Sequence, residues 1–316
     1  MLVTAGLAVA ADSPLRGPVL GFVLDPRSHS IRPIQGIPGA STLGPPLDIP
    51  FAIDRAVFSV QGNSALIFSG GGAFLVRGMR RSHPDTLPLP ISIPDAESAV
   101  FNAPGSAALF YSPSGRQLQI VSGLAADPIA GVAIDCSGQP GVITSAALDA
   151  GATSILMTMQ DSGAGSVLLL QPGSGTASPR AVLTSPLPSA ILYLNQDRDA
   201  LVADSGSNQI VWIQDLNGAA AATVVAGAAD GIAAPVGMQL STDEKTLLVA
   251  NTGTSSITVH SLAGTAPVTQ LPLPVPPSRF DKLNREPVLL FNDMGNGPLY
   301  LLDEAGGRQV YFVPVN

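Results

Sequence analysis

Apolar residues along this chain come in short runs joined pairwise by tight polar turns, and the paired unit recurs at a nearly constant interval. Its turns are anchored at Gly62 in SVQGNSALIFS, Gly105 in NAPGSAALFYS, Gly151 in LDAGATSILMTMQD, Arg198 in NQDRDALVADSG, Glu244 in STDEKTLLVANTG and Arg285 in LNREPVLLFND, and successive anchors lie 41 to 47 residues apart. A four-stranded propeller blade occupies roughly 40–50 residues. The repeat at 236–273 shows four strands, VGMQL, TLLVAN, SITVHSL and PVTQLPL, and the other repeats follow it. Second and third strands are the most continuously apolar, as befits strands covered on both faces by neighbouring blades. Prolines gather in or after the fourth strand, as in TLPLPISIP and TQLPLPVPP, where an outer edge tolerates them and edge-to-edge pairing is discouraged. The pattern predicts an all-β chain, a β-propeller of four-stranded antiparallel blades.

Counting back one period from Gly62 reaches Gly17, which precedes VLGFVLD (19–25), SIRPIQG (30–36) and PLDIPF (46–51). These give a seventh repeat whose inner strand would come from residues 11–15. By residue type, its first two strands look more like a third and a fourth. Seven blades fill the chain; the alternative is a six-bladed ring with an N-terminal extension. A single propeller domain over 11–316 is expected, because the even repeat leaves no room for a second.

Composition refines this picture. Hydrophobic residues make up 46% of the chain and aromatics 5%, so the core must be built from Val, Leu, Ile and Ala, which suit buried strands. The 33 glycines and 29 prolines fall between strands as turn punctuation rather than in a low-complexity block. A net charge of -8 argues against a nucleic-acid groove, which needs a surplus of Lys and Arg on one face; the basic stretch Arg77, Arg80, Arg81 and His83 reads as a solvated loop. Cys136 is the only cysteine, which excludes an internal disulfide and a cysteine-based zinc site. No apolar run reaches the roughly 18 residues of a membrane span. Residues 2–10, LVTAGLAVA, end in an Ala8-Val9-Ala10 site and resemble the remnant of a secretory signal peptide, without a basic residue before Arg16. The chain is expected to be exported, secreted or periplasmic, and monomeric.

Two repeats carry a resemblance. LSTDEKTLLVANTGTSSITVHSLAG (240–264) resembles the YVTN-type propeller repeat, and LVADSGSNQIVWIQD (201–215) is similar to the NHL-type repeat, marked by "ADSGNNRI". The resemblance implies a bacterial secreted or periplasmic propeller used for protein interaction or ligand binding, and occasionally for lactone hydrolysis.

In a propeller, the loops from second to third strand and from outer strand to the next inner strand open on one face, and function concentrates on such loops. The first set carries Ser69, Tyr111, Asp161, Asp204, Asn251, Asn292 and Asp293. Their oxygens, converging at the channel mouth, would suit a divalent cation such as Ca²⁺. The competing reading is that each starts its own turn through an Asx-type hydrogen bond, since a position common to all blades answers a structural demand common to all. A true site should break the repeat; Arg279, Asp281 and Asp230, in or near the outer-to-inner connections, do so. Candidate ligand-binding residues are therefore Tyr111, Asp161, Asp204, Asn251, Asp293 and Arg279, with no catalytic set. His29, His83 and His260 are too scattered for a multi-histidine metal site. Gly-rich SGGGA (69–73) has no helix after it to present to a phosphate, and Trp212 reads as interblade packing.

The reading that follows is a non-enzymatic binding platform for a protein or small molecule at the channel mouth. The alternative is a metal-dependent, lactonase-like hydrolase in which an ion polarises a carbonyl. A third is a structural element of a cell-surface assembly, which would show a large apolar patch.

Overall fold

The computed structural model of the protein describes residues 17–81, 83–172, 178–241, 243–264, 266–285, 287–295 and 297–315. The apolar run 2–10 and the inner strand expected at 11–15 lie outside the described residues. The chain forms a seven-bladed β-propeller of four-stranded antiparallel blades, with a short 3-10 turn at Ala228–Asp230.

Blade 5 shows the plan: Pro188–Leu194 innermost, then Asp199–Asp204, Gln209–Gln214 and Ala221–Ala226, paired in that order. Burial follows position. Asp199–Asp204 is buried along its whole length, while Ala221–Ala226 is exposed except at Ala226. Apolar runs therefore become second strands, and the weakest, Pro- and Ala-rich segments become rims.

The core is divided into seven apolar slabs, one between each pair of neighbouring blades. Leu66, Phe68 and Phe110 join blades 2 and 3, Leu248, Phe280 and Leu302 join 6 and 7, and Leu20, Ile34, Leu301 and Val313 join 7 to 1. Blade 1 also packs on blade 2 through Val19, Phe22, Ile31 and Ile67. Residues 17–51 are thus part of the ring, which sets the six-bladed alternative aside.

Three strands of blade 1 fall within the described residues: Val19–Asp25, Ser30–Ile37 and Ala40–Leu43. The first has the buried profile of a second strand, so the chain enters at second, third and fourth positions, one place earlier than residue type suggests. The outer strand is at 40–43, not at 46–51. Gly36 and Gly39 both take positive φ, and a Cβ on Gly36 would lie 2.2 Å from the Ala40 carbonyl oxygen; this turn reverses the chain before PLDIPF is reached. Pro45, Pro46 and Pro50 then offer no N–H to a ladder, and Leu47 and Ile53 fill the core instead.

One face of the ring carries the first-to-second-strand turns, and these bond from blade to blade. Gln61 Nε2 donates to Ala103 O (3.3 Å), Asn102 Nδ2 to Ala150 O (2.8 Å), Ala150 N to Asp197 Oδ2 (2.9 Å) and Asn195 N to Glu244 Oε2 (2.8 Å). Arg285 of blade 7 then donates to Gln61 of blade 2, reaching past blade 1.

Candidate functional site

The opposite face gathers the loops from second to third strands and from outer to inner strands, as expected. Ser69 Oγ donates to Ala52 O (2.7 Å), Thr252 Oγ1 to Pro277 O (2.8 Å) and Ser278 Oγ to Asp293 Oδ2 (2.7 Å), each bond tying one kind of loop to the other.

On this face the sequence candidates divide into two groups. Asp204 Oδ1 accepts from Gly206 N (2.8 Å), Ser207 N (3.2 Å) and Leu187 N (3.1 Å), while Oδ2 accepts from Ser207 Oγ (2.8 Å). Fully buried Asn251 accepts from Ala233 N (2.9 Å) and donates to Val249 O (3.0 Å) and Thr258 Oγ1 (3.1 Å). Asp161 Oδ1 accepts from Ser162 N (2.7 Å). Asn292 bridges Pro298 O and Tyr300 N, and Asp230 accepts from Gly227 N (2.9 Å) at the short 3-10 turn. These side chains organise backbone.

The second group meets at the channel axis. Arg279 stands between two carboxylates, Asp281 Oδ2 at 2.5 Å and Asp293 Oδ1 at 3.1 Å. Burial works against the Arg279 charge, but Asp281 and Asp293 outweigh it and raise the guanidinium pKa above its ordinary value. Beside it a cavity of about 460 Å³ opens among blades 7, 1, 2 and 3, with Arg55, Glu97, Tyr111, Arg279 and Asp293 at its polar rim and Val57, Phe58, Ala99 and Leu290 in its wall. A further space of about 380 Å³ shares this wall and continues along the channel to Val60, Phe101, Gln239 and Lys282. Lys282 Nζ donates to Leu240 O (2.7 Å), and burial lowers its pKa against the opposing pull of Glu304. Burial raises the Tyr111 pKa, opposed by a hydrogen bond with Ser98 and the Arg55 charge, so the phenol enters the mouth as a neutral hydrogen-bonding group.

Arg55 and Glu97 complete the rim. Arg55 Nη1 donates to the Glu97 carbonyl (2.9 Å), and Nη2 lies 3.6 Å from the Glu97 carboxylate. Neither was expected from the ends of the second strands. The available signal was charge at the heads of inner strands: DRAVF (54–58) and ESAVF (97–101) begin with charged groups where the corresponding strands of blades 4, 5 and 6 begin with Val142, Pro188 and Pro235. Among the described residues, no group of three or more His, Cys, Asp or Glu side chains is placed to hold a metal ion.

No family model matches the chain, and no curated protein matches it in sequence. Among solved structures it is similar to a functionally unknown protein from Desulfotomaculum acetoxidans (TM-score 0.64, 13% identity, 93% of this chain and 95% of that one). A candidate 6-phosphogluconolactonase from Bacteroides fragilis matches at TM-score 0.64 and 11% identity, covering 93% and 92%. Virginiamycin B lyase from Staphylococcus aureus matches at 0.59 and 14%, covering 83% of each chain. At these identities the likeness shows the propeller fold alone.

Proposed function

We propose that the protein is a binding propeller of the YVTN/NHL type that takes a small molecule in its channel mouth. The observation that carries this reading is the convergence of Arg55, Glu97, Tyr111, Arg279 and Asp293, from different blades, on one opening with apolar walls. Small-molecule sites combine an apolar concavity with a few polar groups that fix orientation. The repeats at 201–215 and 240–264 support the family assignment. Binding is favoured over metal-assisted hydrolysis because two carboxylates at the mouth, Asp281 and Asp293, already meet a guanidinium, which supplies the positive charge an ion would bring.

Thermal unfolding against a metabolite panel tests the reading, since a ligand that binds only the folded state raises Tm. Stabilising compounds are expected, and Ala99→Leu, which narrows the cavity from the inner strand of blade 3, should abolish their effect; hits that this variant leaves untouched would place the site elsewhere. In the same assay EDTA, Ca²⁺, Mg²⁺ and Zn²⁺ should leave Tm unchanged. A rise of several degrees with one metal would restore the hydrolase reading.

A further inference from the structure

We propose that the ligand of the channel mouth is an organic cation with an apolar body, such as a primary amine carried on an aryl or alkyl group. The inference rests on the reading of the mouth as the ligand site and adds the charge and shape of its occupant.

Charge is the first argument. Asp54, Glu97, Asp281 and Asp293 stand around or beside the cavity against Arg55, Arg279 and the deeper Lys282, which is turned onto Leu240 O, an excess of one negative charge in a chain already at -8. Both guanidiniums are engaged. Arg279 is held by Asp281 and Asp293, and Arg55 is turned onto the Glu97 carbonyl, with its other nitrogen 3.6 Å from the carboxylate. An incoming anion would meet cations whose charge these carboxylates already partly balance. A carboxylate has about four acceptor positions, and Glu97, more than half exposed, and Asp54, which accepts from Gly70 N at 3.2 Å, are far from filled. A cleft with low-dielectric walls concentrates such a field on whatever enters it.

The walls supply the second argument. Tyr111 and Phe58 line the same opening, and an aromatic face within about 6 Å attracts an ammonium group. Beyond them the channel continues past Ala56, Val57, Val100 and Phe101, an apolar stretch against which an apolar body leaves water, while Gln239 and Lys282 at its far side are already bonded to Phe280 O and Leu240 O. A metal ion is the poorer match. It needs several oxygens drawn onto one point, whereas an ammonium presents three separate donors to carboxylates that are set apart around a rim.

Calorimetric titration of the full chain at pH 7 with phenylbutylamine, phenylbutanol and phenylbutanoate separates head-group charge from body. The amine should bind about tenfold more tightly than the alcohol, as one charged hydrogen bond provides, and the carboxylate more weakly than either. Glu97→Gln should remove the advantage of the amine and leave the alcohol unchanged. The proposal is overturned if the carboxylate binds as tightly as the amine, if Glu97→Gln weakens all three alike, or if none binds. Binding of all three that survives Ala99→Leu overturns instead the placement of the site.

Discussion

Asp204 was a candidate ligand by its place at the end of a second strand, and the structure shows it holding four hydrogen bonds within and beside its own turn. Burial raises its pKa, but hydrogen bonds from Ser207 and Leu187 outweigh that effect and hold the carboxyl below its ordinary range. A depressed carboxylate stabilises the fold above its unfolded pKa, about 3.9, and that contribution is lost as the pH falls through the lower folded value. Asp204→Asn should therefore cost about 1–3 kcal/mol at pH 7, with the gap to wild type closing as the pH is lowered below about 4; urea unfolding at stepped pH checks this. The turn chemistry was legible because Asp204, Asn251 and Asp161 recur at one repeat position. The rim was only partly legible. Arg279 and Asp281 stood out as breaks in the repeat, whereas Arg55 and Glu97 lie at the heads of short inner strands whose pattern is the least regular, and only ring closure brings them to the axis.

At the scale of the strand, close approach matters as much as hydrogen bonding. A Cβ on Gly21 in the first strand of blade 1 would meet Leu283 Cβ of blade 7 at 2.6 Å, and one on Gly237 would meet Phe280 Cβ at 2.7 Å. Gly21→Ala should destabilise by about 1–3 kcal/mol through overpacking and lower Tm by roughly 2–4 °C for each kcal/mol. Gly163→Ala, where nothing lies within 4 Å of the added carbon, is the control and should leave Tm in place. Most strands could be read from apolar runs between turns. The exceptions were outer ones, where an apolar run does not imply a ladder. In PLDIPF the prolines prevent pairing, and the side chains serve as packing. IAGVAI (129–134) likewise divides into Ile129–Ala130 and Ile134–Asp135, with Val132 between them 88% exposed.

For the molecule as a whole, the seven slabs make each blade depend on two neighbours, and no blade is terminal in the way the end repeats of an open solenoid are. Trp212, the only tryptophan, packs in the slab between blades 5 and 6 and reports that part of the ring alone, while far-UV circular dichroism reports every sheet. The two signals should lose structure with one midpoint in denaturant, as a two-state transition requires; an earlier tryptophan transition would show that blades 5 and 6 separate on their own. Under tension the same closure behaves differently. Among the described residues, blades 7 and 1 belong to separate sheets and share no strand ladder, so a pull applied between Val19–Asp25 and Gln309–Val313 loads a seam of side chains such as Leu20, Ile34, Leu301 and Val313. Among the described residues that seam has no strand ladder to shear, only side-chain packing and a bond such as Arg27 Nη2 to Gly295 O, and it is expected to yield by peeling, turning the ring into an open arc while the sheets of blades 2 to 6 are still folded. The protein is therefore expected to be stiff to heat and soft to force, with its mechanical weak point at the junction that closes it.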